Sequence, residues 1–158
     1  MLDGLTLARA IHVVAIVHWI GGVCAVTTIV LPRARRLPDS AAAMALFEEF
    51  ESRFARQVRI SILLTGLSGL YMLHALHAWA RLSELSFWWL HLMIAVWITF
   101  AIVVYVFEPL FLHANFRKLT SGESKKAFAL AQSLHNVALA ISAFTIAAGV
   151  LGAHGALA

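Results

Sequence analysis

Four long apolar runs dominate this chain of 158 residues and restrict what it can fold into more than any other feature. A helix needs around 20 apolar residues to cross a hydrocarbon core of about 30 Å. Stretches 7–31, 58–80, 87–112 and 127–153 all reach that length. Inside lipid the backbone must satisfy its own hydrogen bonds, which leaves helices as the spanning form for runs of this kind. The chain has 61% hydrophobic and 13% charged residues, far from the balance of a soluble domain. The expectation is an all-α integral membrane protein: one domain over 1–158, an antiparallel four-helix bundle.

Charge sets the orientation. Arg33, Arg35, Arg36, Arg53, Arg56 and Arg59 fall in the first loop or at its edge, and Arg117, Lys118, Lys125 and Lys126 in the third. Only Arg9 and Arg81 belong to the opposite side. The positive-inside bias then puts both termini outside a bacterial inner membrane. The same distribution removes nucleic acid as the partner implied by a net charge of +4, because the basic residues flank apolar runs where they meet lipid headgroups. Cys24 stands alone, which excludes an intrachain disulfide and leaves a buried spectator thiol as its reading. The first run is too long, and too poor in preceding basic residues, to be a cleavable signal peptide.

The loops carry structure of their own. PDSAAAMALFEEFESRFARQV offers Asp39 and Ser40 as helix starts, with Met44, Phe47, Phe54 and Val58 on one face. It reads as an amphipathic inner-surface helix between spans 1 and 2, or as a helix continuous with span 2. KLTSGESKK reads as a solvated turn, and HAWARLSELSFWW as a short outer connection with interfacial tryptophans.

Eight histidines in so apolar a chain call for an account. At about 1.5 Å per residue, His12 lies roughly 6–8 Å below the outer edge of its span, His91 roughly 6 Å, and His77 and His74 roughly 4 and 9 Å. His18 falls near mid-membrane and His135 in the inner half, while His113 and His154 close their spans. Ionisable residues inside spans face the bundle interior and carry a partner or a function. A layer of histidines from facing helices, with no cysteine or carboxylate at its depth, suits haem or copper better than magnesium or calcium. His12 and Trp19 share a helix face, as do Gly66, Gly69 and His77, so an aromatic wall and a glycine-lined recess could flank a flat macrocycle. The alternative is that these glycines let helices approach closely. His12 with His91 is the first choice of axial pair for haem b, with His77 or His74 as alternates; His18 and His135 are candidates for a second haem or a proton path. Glu108, the only carboxylate within a span, reads as a partner for an inner arginine such as Arg33 or Arg36, or as a proton-uptake group beside a quinone site near Tyr105. Arg59 reads as a headgroup anchor. No arrangement for hydrolysis is present.

The stretch IHVVAIVHWIGGVCAVTTIVLPRAR resembles the first span of small bacterial membrane proteins of the HemJ type (protoporphyrinogen oxidases) and the CopD type (copper resistance). The resemblance rests on His12, Trp19, Gly21 or Gly22, and Pro32-Arg33, and on Trp89-Leu90-His91 in the third span. It covers the four-span layout, with Met93 where the HemJ type has a lysine. It implies haem b held by His12 and His91. The expected function is electron transfer between quinone or a porphyrin-like reductant and a redox partner protein at the outer face, with HemJ-like oxidase chemistry as its enzyme form, the oligomeric state and enzyme status being open. The CopD likeness implies copper instead. A third possibility is an accessory subunit of a larger membrane complex.

Overall fold

The structure is a computed structural model that describes residues 3–112 and 121–157; His113, Arg117 and Lys118 lie outside the described residues. Every regular element among them is helical. Helix α1 runs from Gly4 to Arg36, α2 over Ser40–Ala75, α3 over Trp88–Ile102 and onward through Val103–Leu112, and α4 over Ser121–Ala153. Four of these helical stretches, Gly4–Arg36, Ser40–Ala75, Leu85–Pro109 and Lys125–Ala153, are long and apolar enough to cross a membrane.

Local chemistry explains the boundaries. Asp3 caps α1 by accepting from the Thr6 backbone N–H at 2.6 Å, and that N–H holds the exposed Asp3 carboxyl below its ordinary range. Asp39 caps α2 in the same way, accepting from Ala41 N at 2.9 Å, as its position before an apolar face predicts. Nothing then interrupts α2 for 36 residues. The amphipathic segment 40–57 is therefore the first half of the second long helix, the continuous alternative, and does not form an element of its own. At the other end α2 stops at Ala75, five residues before the expected end of the span, because His77 takes a left-handed φ of 51° and turns the chain. Two 3₁₀ turns, Trp79–Ser83 and Leu85–Phe87, complete the connection from α2 to α3, with Trp79 and Trp88 exposed and Arg81 stacked over Phe87 at 5.1 Å. Helix α4 starts at Ser121, so the second half of the expected solvated turn is helical.

Helix α1 widens into a π turn over Val26–Val30, where Gln132 of α4 donates to the Thr27 carbonyl at 2.9 Å. A second π segment, Val103–Leu112, contains Pro109, whose missing N–H is incompatible with an ordinary helical ladder.

Helices α1 and α2 run in opposite directions along a shared seam. Tyr71 lies against Gly4, the ring of Phe54 fills the notch left by Gly22, and Phe47 packs with Val30. The buried residues form two clusters. One joins Val26, Val30, Leu31 and Ala34 to Ala43, Phe47 and Phe128, with the Phe47 and Phe128 rings edge to face at 5.8 Å. The other joins Trp19, Val23, Val58 and Ile62, flanked by Phe54, Trp97 and Phe100. Helix α3 is the outlier, since its most apolar stretch buries no residue within the chain. Its surface is suited to lipid. Cys24 is exposed on α1 rather than buried, because its side chain points away from the α2 seam.

The two adjacent glycines of α1 make a matched test. A Cβ at Gly22 would overlap the Phe54 ring, whereas a Cβ at Gly21 meets nothing within 4 Å. Gly22→Val is expected to destabilise by about 1–3 kcal/mol or more, the cost of overpacking, and Gly21→Ala to leave the thermal midpoint in detergent unchanged. Equal midpoints for the two variants would refute the packing account.

Candidate functional site

The histidines divide by what their ring nitrogens meet. On α1, His12 is half-buried against α2, with Nδ1 3.0 Å from the Thr65 carbonyl oxygen and 3.0 Å from Ser68 Oγ. A carbonyl oxygen only accepts, so Nδ1 carries the proton and Nε2 keeps its lone pair. No hydrogen bond among the described residues uses that Nε2. Gly69 makes the approach possible: a Cβ there would sit 3.3 Å from His12 Cε1. One turn and a half further along α1, His18 lies with Nδ1 2.8 Å from Ser61 Oγ and Nε2 3.3 Å from Gln57 Oε1. Both α1 histidines thus meet a row of small polar residues on α2, Ser61, Thr65 and Ser68, whose hydroxyls also donate to carbonyls of their own helix.

The remaining histidines are placed differently. His91, in the first turn of α3, sits with Nδ1 3.0 Å from Phe87 O and Nε2 3.0 Å from Leu82 O, fastening the α2–α3 connection to the helix. A neutral ring donates to only one of these carbonyls at a time, and both nitrogens are enclosed by them. His74, in the last turn of α2, and His77, in the turn that follows it, are both exposed. His135 bonds its own helix through Nδ1 to Ala131 O at 2.9 Å, and His154 does likewise to Val150 O at 2.8 Å. Among the described residues no three His, Cys, Asp or Glu side chains converge on a point where one metal ion could sit.

The residues expected to line a macrocycle have occupants from the chain itself. The recess at Gly66 is filled by the indole of Trp97, which donates from Nε1 to Ile62 O at 2.8 Å, and the recess at Gly69 by His12. Trp19 is buried edge to face on Phe100 at 4.8 Å, and its Nε1 has no hydrogen-bond partner among the described residues. Met93 fits against Gly149, and Trp89 against Gly152, in the same manner. Glycine-for-ring exchange is therefore a general packing device of this fold, and composition alone does not separate it from a ligand recess.

Toward the end of α3, Glu108 is buried and pairs with Arg59, Nη2 to Oε1 at 3.1 Å, while Tyr105 Oη donates to Arg59 O at 2.7 Å. The partner is the arginine at the start of the apolar part of α2, where the chain folds back against α3, in place of Arg33 or Arg36. Sequence reasoning missed Glu51, which lies in the charged half of α2, before the apolar stretch. Burial, then the negative charges of Glu108 and Glu48, push its carboxyl up to about 7.

Comparison with protein-family profiles, curated proteins and solved structures finds no match for the chain.

Glu51 yields a pH prediction whose sign follows from linkage. A carboxyl raised in the folded state contributes stability below its unfolded pKa and loses it as pH rises through about 7. Thermal stability in detergent is expected to fall between pH 5 and pH 8, and Glu51→Gln to flatten that slope. An unchanged slope in the variant would assign it to other groups.

Proposed function

We propose that the chain is a membrane-embedded haem-b protein of electron transfer, with His12 supplying an axial ligand in the outer half of the bundle. One observation carries the reading: the Nδ1 of His12 is fixed by Thr65 O and Ser68 Oγ, which turns the ring and reserves the Nε2 lone pair. Ligating histidines commonly donate their second nitrogen to a backbone carbonyl in this way, which sets the tautomer and raises basicity. Bound there, the iron porphyrin would supply one-electron chemistry, and the chain would supply the ligand and a dry surround.

The fit of this chain to haem is partial, and the misfit is specific. His12 suits one axial position. His91 does not offer a second as it stands, since its Nε2 lies at Leu82 O, and the glycine recesses at Gly66 and Gly69 hold Trp97 and His12. We therefore assign His12 alone as the ligand held ready, and give His91 the role of tying down the outer connection. The wider reading is an antiparallel four-span bundle in a bacterial inner membrane, both termini outside, similar to the HemJ type in its first-span motif. Quinone or a porphyrin is the exchange partner in that reading, with a redox protein at the outer face.

Full-length protein purified from membranes is expected to show a Soret band, with a sharp alpha band on reduction. His12→Ala should abolish both, and His91→Ala should retain them while lowering thermal stability. A colourless, folded preparation would overturn the haem reading. Copper in such a preparation, by elemental analysis, would move the assignment to the CopD-like reading. Absence of haem and metal would favour a second reading that one observation already supports: His12 and His18 both stitch α1 to α2, the role expected of histidines in a structural subunit.

A further inference from the structure

The outward side of the α1–α2 seam carries a groove of about 520 Å³, a volume within the range of small-molecule sites. Its walls are Ile11, Val14, Ile60 and Leu64, over a floor set back by Ala15. At one end the lining changes to His18, Ser61 and Gln57. From the level of Ala10 to that of His18 the groove extends about 12 Å along α1. Val14 and Ile60 are 68% and 62% exposed, so the apolar end opens sideways to whatever surrounds the bundle.

Three features define the occupant. The first is polarity: an exposed histidine and glutamine beside a lipid-facing groove leave hydrogen-bonding capacity that hydrocarbon cannot meet. The second is charge. Gln57, Arg53 and Glu49 follow one another at four-residue spacing, and Arg53 is paired with Glu49 at 3.2 Å; Arg56, exposed one turn from Ile60, does not line the groove, so no cation stands in its wall. A neutral head meets the uncharged donors and acceptors of the lining itself; an anionic one would have to reach outside the groove to Arg56. The third is reversibility. With its proton on Nδ1, His18 donates to Ser61 Oγ, whose own hydroxyl donates to Gln57 O, and its Nε2 accepts from a turned Gln57 amide; with the proton on Nε2 it donates to Gln57 Oε1, and the Ser61 hydroxyl turns from Gln57 O to donate to Nδ1. The 3.3 Å bond to Gln57 is the longer of the two that His18 makes and leaves that amide free to turn outward. Such a group can donate to a carbonyl and accept from a hydroxyl at one position.

We propose that this groove binds a lipid-soluble quinone in both its oxidised and reduced forms, the ring at His18, Gln57 and Ser61 and the first part of the tail along Ile11, Val14, Ile60 and Leu64. A quinone head is neutral, presents carbonyls when oxidised and hydroxyls when reduced, and carries an apolar tail, which matches all three features. The inference deepens the electron-transfer reading by assigning the carrier a position, and it uses none of the groups that would hold iron.

The test uses full-length protein in detergent with decyl-ubiquinone as probe and an azido-quinone for photolabelling. Labelled peptides are expected to map to residues 10–18 and 57–64, and decyl-ubiquinone to compete at least tenfold better than a decyl alcohol lacking the ring. His18→Leu and Gln57→Leu should each weaken binding about tenfold with helicity retained, His18→Leu also lowering the thermal midpoint because its bonds to α2 are lost; Val150→Leu, on the exposed face of α4, should do neither. The wild-type competition stands even where the variants fail to fold. Labelling spread over all exposed helix faces, or displacement by decyl alcohol or phospholipid as readily as by the quinone, would overturn the proposal in favour of ordinary lipid. Crosslinking of two copies through this groove, insensitive to the probe, would overturn it in favour of a dimer contact. Quinone binding by a colourless protein would remove the haem reading and leave this one; a Soret band without quinone binding would do the reverse.

Discussion

The structure depends on how two titratable rings are accommodated between α1 and α2. In hydrocarbon an unpaired polar atom costs several kcal/mol, by order of magnitude. Helix α2 answers this with Ser61, Thr65 and Ser68 on the face turned to α1, and His12 and His18 bond to that row. Close approach is then secured by glycine: Gly69 admits the His12 ring and Gly22 admits Phe54. Polar pairing and notch packing act at the same seam, and the antiparallel register of α1 and α2 follows from both.

The seam also explains which parts of the fold are legible in sequence. Span number follows from apolar length alone, and the Asp39 cap follows from its place before a patterned face. The end of α2 does not, because residues 76–80 are as apolar as what precedes them; a single left-handed residue, His77, terminates the helix. That local turn moves His77 out of the histidine layer that uniform spans imply. The roles of Gly66 and Gly69 were equally balanced in sequence between recess and helix contact, since both need the same small residue. Only the position of Trp97 and His12 distinguishes them.

Of the site candidates, His12 and His18 keep roles that geometry can describe, while His91 takes a different one. A histidine near a helix start reads as a ligand or as a clasp according to which carbonyls surround it, and those of Leu82 and Phe87 come from a connection whose path sequence does not specify. Glu51 was invisible for a related reason. Its residue type and exposed neighbours resemble those of any amphipathic helix, and its carboxyl is raised first by burial and then by the charge of Glu108 on α3, far away in sequence.

Helix length bears on where the groove stands in a membrane. Helices of 33 and 36 residues reach about 50 Å, well beyond a hydrocarbon core of about 30 Å. The excess has to leave the core, and the side chains differ by face in where it leaves. On α2, the exposed pair Glu49 and Arg53 brackets the level of Gly22, because Phe54 fills the Gly22 notch. Further toward the same end, Ile29 of α1 and Leu130 and Leu134 of α4 are still exposed and apolar. The polar boundary therefore comes further along α2 than along its neighbours, which calls for tilted helices or a local thinning of the bilayer. Gln57 lies one turn beyond Arg53 on that same face. A ligand head at His18 and Gln57 would meet the polar boundary while its tail stayed in hydrocarbon, and the asymmetry of α2 makes both conditions available within one groove.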